Sequence, residues 1–157
     1  MLAWPDRAIR DDAIVAGLAG ATLAGIPSTA WSLARGDDVL DGARAAGTIL
    51  LPHERRTPVL LAAGVPVHLA LSVGWAGAMA AALPRRAEPA WGVLAGLGIA
   101  TLDLVVIGRH IAAIRALPQG RQWADHVAYG LTVALVLRAR RRRRRSAASA
   151  RTGTVRA

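Results

Sequence analysis

AIVAGLAGATLAGIPSTAWSLA, residues 13–34, runs for 22 positions without a charged side chain. As a helix rising about 1.5 Å per residue it is long enough to cross a hydrocarbon layer of ~30 Å. Small residues recur every fourth position at Ala13, Gly17, Ala21 and Gly25, and Ala16, Gly20 and Ala24 form a second row beside them. Such a face lets another helix approach closely, so the run predicts a packed bundle instead of a lone anchor. Pro27 removes a backbone hydrogen bond in the last third, and Ser28 and Thr29 are placed to satisfy freed carbonyls. Arg7 and Arg10 precede the run and Ser32-Leu33-Ala34 resembles a cleavage site. The apolar stretch nevertheless exceeds the roughly 7–15 residues of a leader core, so it reads as a retained span.

The rest of the chain agrees with a membrane setting. Of 157 residues, 54% are hydrophobic, and the mean hydropathy is +0.34, beyond the soluble average. With no cysteine, the sequence excludes a disulfide framework, thiolate metal ligation and a cysteine nucleophile. Lysine and phenylalanine are both absent, a composition typical of a GC-rich bacterial genome.

Three further spans are expected at about 58–83, 89–108 and 123–137, giving an all-α, four-transmembrane-helix bundle as one membrane domain over 1–137. The second holds no formal charge but includes His68, and the third carries Gly92 and Gly96 on one face. The fourth, about 22 Å long, is short unless Arg138 and Arg140 snorkel outward; three spans with a surface helix is the runner-up. Between spans one and two, residues 37–51 are too short and charged to cross. Val39, Ala43, Ala46 and Leu50 keep helical spacing there, as in an amphipathic interfacial helix.

Four spans put both termini on one side, with thirteen of the 20 arginines. Basic loops favour the cytoplasm, so the expected location is the bacterial inner membrane, both ends cytoplasmic. Tryptophan prefers the headgroup level, which suits Trp4 and Trp91 at the inner interface and Trp31 and Trp123 at the outer one; Trp75 alone sits deeper. The run RARRRRRRS, residues 138–146, supplies Arg138, Arg140, Arg141, Arg142, Arg143, Arg144 and Arg145. Starting at a membrane boundary, it reads as a topology anchor on anionic headgroups. No aromatic or groove-reading motif accompanies it, so no specific nucleic-acid partner is expected. The tail from 138 to 157 is expected to be disordered.

The remaining signal is polar. Asp103 interrupts ATLDLVVIGRH, residues 100–110, and a charge at mid-bilayer costs at least ~2.5 kcal/mol, so it must face protein or water. Ideal α-geometry turns seven residues through nearly two full turns, predicting that Asp103 and His110 share a face. His68 and Ser72 are one turn apart in span two; Asp125, His126, Tyr129 and Thr132 line span four. These groups are expected to converge near the outer end, leaving the inner half aliphatic. Three readings compete: a structural hydrogen-bond network, an ion, proton or zinc-like metal site, and His/Asp catalysis. No HExxH, HxxxH or nucleophile-elbow motif supports the last two, so no cofactor is predicted, the identity of any metal stays open, and the chain reads as a non-enzyme.

In layout and in LPQGRQWADHVAYG, residues 117–130, the chain resembles small four-helix integral membrane proteins of GC-rich bacteria. The distinctive piece is ADHVAYG, residues 124–130. The resemblance implies topology and directs attention to Asp125, His126 and Tyr129. The expected function is a structural or partner-binding bundle in contact with lipid, assembling with copies of itself or another membrane protein. A small transporter, ion-binding or proton-handling component is the alternative.

Overall fold

The computed structural model describes residues 7–85 and 88–154, with side chains as far as residue 149. Trp4 and Arg86 lie outside the described residues. Among those described, every regular element is helical.

The first apolar run forms two helices, α1 (Arg7–Leu23) and α2 (Ile26–Arg35). Pro27 cannot donate to the Leu23 carbonyl, which explains why the chain breaks there and not elsewhere in the run. Ala24 N–H still bonds the Gly20 carbonyl at 2.9 Å, and Thr29 N–H bonds Gly25 at 3.0 Å, so the ladder resumes at once. Gly36, at φ 71°, closes α2 in the left-handed region that glycine enters without steric cost. Next come α3 (Asp41–Gly47) and α4 (Thr57–Ala82). Within the 37–51 stretch, where an interfacial helix was expected, the helix covers the seven residues Asp41–Gly47. It lies so close to α4 that a β-carbon on Gly47 would sit 2.8 Å from Leu60 Cα.

Helix α5 (Glu88–Ala100) passes into a π-helical segment, Thr101–Ile107, and a single tight turn, Gly108–His110. Gly108 N–H bonds the Asp103 carbonyl, the i→i+5 link of a π-turn. A short α6 (Ala112–Ala116) leads to α7 (Gln119–Thr154), 36 residues long. The arginine run is therefore helical through Thr154, where disorder was expected from composition.

Among the described residues, three helical stretches are long and apolar enough to cross a membrane: Arg7–Arg35, Thr57–Ala82 and Glu88–His110. Helix α7 is not among them, and its place in the bundle explains its weaker hydropathy. Val133 and Leu137 are the largest fully buried side chains, and Tyr129 and Ala134 join them in the core against Ala16, Ala76, Met79 and Ile99. A helix packed against several others meets neighbours over much of its surface, so small and polar residues are tolerated on it.

Close approach is set by glycine. A β-carbon on Gly17 would lie 2.7 Å from Val73 Cα, one on Gly92 would lie 2.6 Å from the Gly130 carbonyl, and one on Gly130 would lie 2.7 Å from Gly96 N. Gly17 thus seats α1 on α4, and Gly92, Gly96 and Gly130 seat α5 on α7. Gly25, expected on the packed face, meets nothing within 4 Å because the Pro27 break turns it away.

Candidate functional site

Polar groups gather at two ends of the bundle. At the end formed by α2 and the start of α7, the break in the first run exposes backbone amides that would otherwise be bonded. Asp125, on α7, reaches across and accepts the Ser28 N–H at 2.9 Å. A carboxylate on a helix N-terminus is favourable both as an acceptor and against the helix dipole. Asp125 therefore caps α2 from a different helix. Four residues earlier on α7, Arg121 donates to Ser32 Oγ at 2.6 Å and to Asp37 Oδ2 at 3.1 Å. The C-terminal half of α2 is held by the same neighbour.

His68 uses the other side of the break. Its Nε2 lies 3.0 Å from the Ala21 carbonyl, whose partner in an uninterrupted helix would be residue 25. A carbonyl only accepts, so Nε2 carries the proton. Ala21 thus contributes its backbone, and its small side chain lets α4 come near.

Asp103 sits in the π-helical segment, and its Oδ2 accepts from Trp75 Nε1 at 3.3 Å. The same oxygen lies 3.5 Å from His126 Nε2. His126 Nδ1 is 2.7 Å from the Gln122 carbonyl and so donates to it. With Nδ1 donating to Gln122, Nε2 is the ring atom turned toward the Asp103 carboxyl.

Tyr129 donates its hydroxyl to the Ser72 backbone carbonyl, and its ring lies over Gly20, where a β-carbon would come within 2.6 Å of Cε2. Ser72 itself is buried. His110 is not with the others: its Nε2 accepts from Arg109 Nε at 2.9 Å on an exposed turn. The wider π-turn advances each residue less around the axis than an α-turn, so the shared face expected for Asp103 and His110 is lost. Among the described residues, no group of three His, Asp or Glu side chains is placed to hold a metal ion.

The opposite end was expected to be aliphatic, and it contains two buried carboxylates. Asp12 accepts from Arg140 Nε at 2.6 Å and from Arg144 Nη1 at 2.8 Å. Glu88 accepts from Arg141 Nη1 at 2.7 Å, and Arg141 Nη2 also donates to the Ala80 carbonyl at 2.9 Å. These pairs tie α1, the end of α4 and the start of α5 to α7. Their signal lay in spacing: Arg140 and Arg144 are one turn apart, and each acid stands at the mouth of an apolar run. Arg85, Glu88, Arg138, Arg141, Arg142 and Arg145 line a cavity of about 320 Å³ at this end.

Outside the bundle proper, Glu54 accepts the Arg55 and Arg56 backbone N–H groups at 2.8 and 2.9 Å and Arg56 Nη2 at 2.9 Å. The Arg56 guanidinium and these amides hold its carboxyl down at about 2. No protein family, curated protein or solved structure matches the chain.

Proposed function

We infer that the chain is a multi-pass protein of a bacterial inner membrane, non-catalytic, whose four helical spans form a structural or partner-binding bundle. The observation that supports this reading best is the Asp125–Ser28 contact. An intramembrane carboxylate engaged by the backbone of a broken helix is engaged in architecture. His68 on Ala21, and Tyr129 on Ser72, are engaged in the same way. The apolar part of α7 completes the fourth span, the end bearing the arginine run faces the cytoplasm, and its guanidiniums meet anionic headgroups.

The natural absence of cysteine makes the topology directly testable. Gly120→Cys, at an exposed site in the first turn of α7, is expected to react with a membrane-impermeant maleimide added to intact cells. Ser146→Cys should react only after permeabilisation. Labelling of both from the same side would leave three spans. For the architectural role, Asp103→Asn should yield folded protein in detergent and cells with unchanged ion tolerance.

One observation favours a second reading, a proton- or ion-handling component. Asp103, in the π-helical segment, lies 3.5 Å from His126 of α7, and π-turns recur at functional sites. Loss of a proton- or ion-linked activity in Asp103→Asn, with yield unchanged, would favour it over the first.

A further inference from the structure

The seven arginines between 138 and 145 divide by what they face. Arg140 and Arg144 are held by Asp12, and Arg141 by Glu88. Arg138, Arg142 and Arg145, spaced four and then three residues apart, form a neighbouring stripe on α7. With Arg141 and Arg85, from the turn after α4, they surround the cavity of about 320 Å³. The guanidiniums of Arg85, Arg138, Arg142 and Arg145 have no hydrogen-bond or ion-pair partner among the described residues. Five guanidiniums thus line one concavity with a single carboxylate, Glu88, already committed to Arg141.

Like charges gathered in a concave, partly walled space repel one another and focus a positive potential into it. A bound anion removes that repulsion. Guanidinium forks match phosphate oxygens two at a time, and they do so better than they match a spherical anion. At about 30 Å³ per water the cavity holds roughly ten waters, more than one phosphate group fills. Its position narrows the ligand further: Leu137 is the last apolar residue of α7 before Arg138, and the exposed Trp91 follows Glu88 by one turn. The cavity lies where apolar surface gives way to charge.

We propose that this cavity binds an anion bearing two or more phosphate charges, carried either on a phospholipid headgroup or on a free diphosphate. The site is independent of the span count above.

The experiment uses the full chain in mild detergent, with two probes: inorganic pyrophosphate, and mixed micelles containing a diphosphatidyl lipid. The variant R85Q/R142Q removes one guanidinium from each wall. R10Q/R143Q removes the same charge at the same end but outside the cavity. R85Q/R142Q should weaken binding about tenfold or more, and R10Q/R143Q by less than about threefold. Response to pyrophosphate alone assigns a soluble ligand, and response to lipid alone assigns a headgroup; either supports the site. Equal weakening by the two double variants, or no binding of either probe by the unmodified chain, overturns it. If R85Q/R142Q lowers the melting temperature, R145Q supplies the second reading: weakening of about threefold supports the site, and unchanged binding overturns it.

Discussion

The two polar ends of the bundle solve the same problem with different chemistry. At the arginine end, Asp12 and Glu88 are buried against guanidiniums that stay charged at any working pH. At the other end, Asp125 meets a backbone amide and Asp103 meets an indole and an imidazole. The first arrangement needs the acid's charge, since a neutral partner would leave partly buried guanidinium unbalanced. The second needs only an acceptor in the right place. Helix α7 joins both, and its residues 125 and 141 stand about 24 Å apart along the axis. A single helix therefore fastens one end of the bundle by ion pairs to buried carboxylates and the other by completing interrupted backbone, with the half-exposed Arg121–Asp37 pair beside it.

Amide substitution is the sharpest way to break this contrast. Asp12→Asn keeps the side-chain shape but discards the charge, leaving Arg140 and Arg144 facing a neutral group. The arginines are partly exposed, at 34% and 44%, so water screens some of the loss. A destabilisation of about 2 kcal/mol is expected, below the ~3–5 of a fully buried pair, and is measured by unfolding in mixed detergent. Asp125→Ala removes the acceptor for Ser28 N–H and should cost about 1–2 kcal/mol, whereas Asp125→Asn, which keeps an oxygen, should recover most of it. If Asn proves as harmful at 125 as at 12, the two ends work alike and the distinction collapses.

Smaller effects refine the picture between and beyond the ends. Tyr129→Phe deletes the hydroxyl bonded to the Ser72 carbonyl while keeping the ring over Gly20. A loss of about 1 kcal/mol, with helix content unchanged by circular dichroism, is the expected outcome. The least costly change is at the loop carrying Glu54. Its carboxyl is lowered from an ordinary 4.5 to about 2, so its contribution is fully present above 4.5 and disappears as pH falls through about 2. Hydrogen exchange at the Arg55 and Arg56 amides should accelerate relative to the intrinsic rate only over that acid window; Glu54→Gln should flatten the dependence.

The apolar runs were legible because the absence of charge over 20 or so residues has few soluble explanations. Pro27 marked the break for the same local reason, since proline cannot donate. What closes the break was not legible. Ser28 and Asp125 are 97 residues apart, and nothing local to either names the other. Asp103 was recognised as needing protein around it, yet its register relative to His110 followed α-geometry, and composition gives no mark of a π-turn. The arginine run was read from its own composition, which is that of a solvated tail. Within it, Arg140, Arg141 and Arg144 pair with Asp12 and Glu88, distant acids that a segment-by-segment reading assigns to the flanks of other apolar runs.

Helix α7 has one further consequence. Its 36 residues make a rod of about 54 Å, of which the basic portion continues beyond Leu137, the last apolar residue of its core-facing part. Because no proline interrupts it between Gln119 and Thr154, traction on the protruding mast travels down an unbroken ladder of amides to Asp125. Whatever grips the far tip thereby gains a handle on the fracture in the first apolar run, at the opposite end of the bundle.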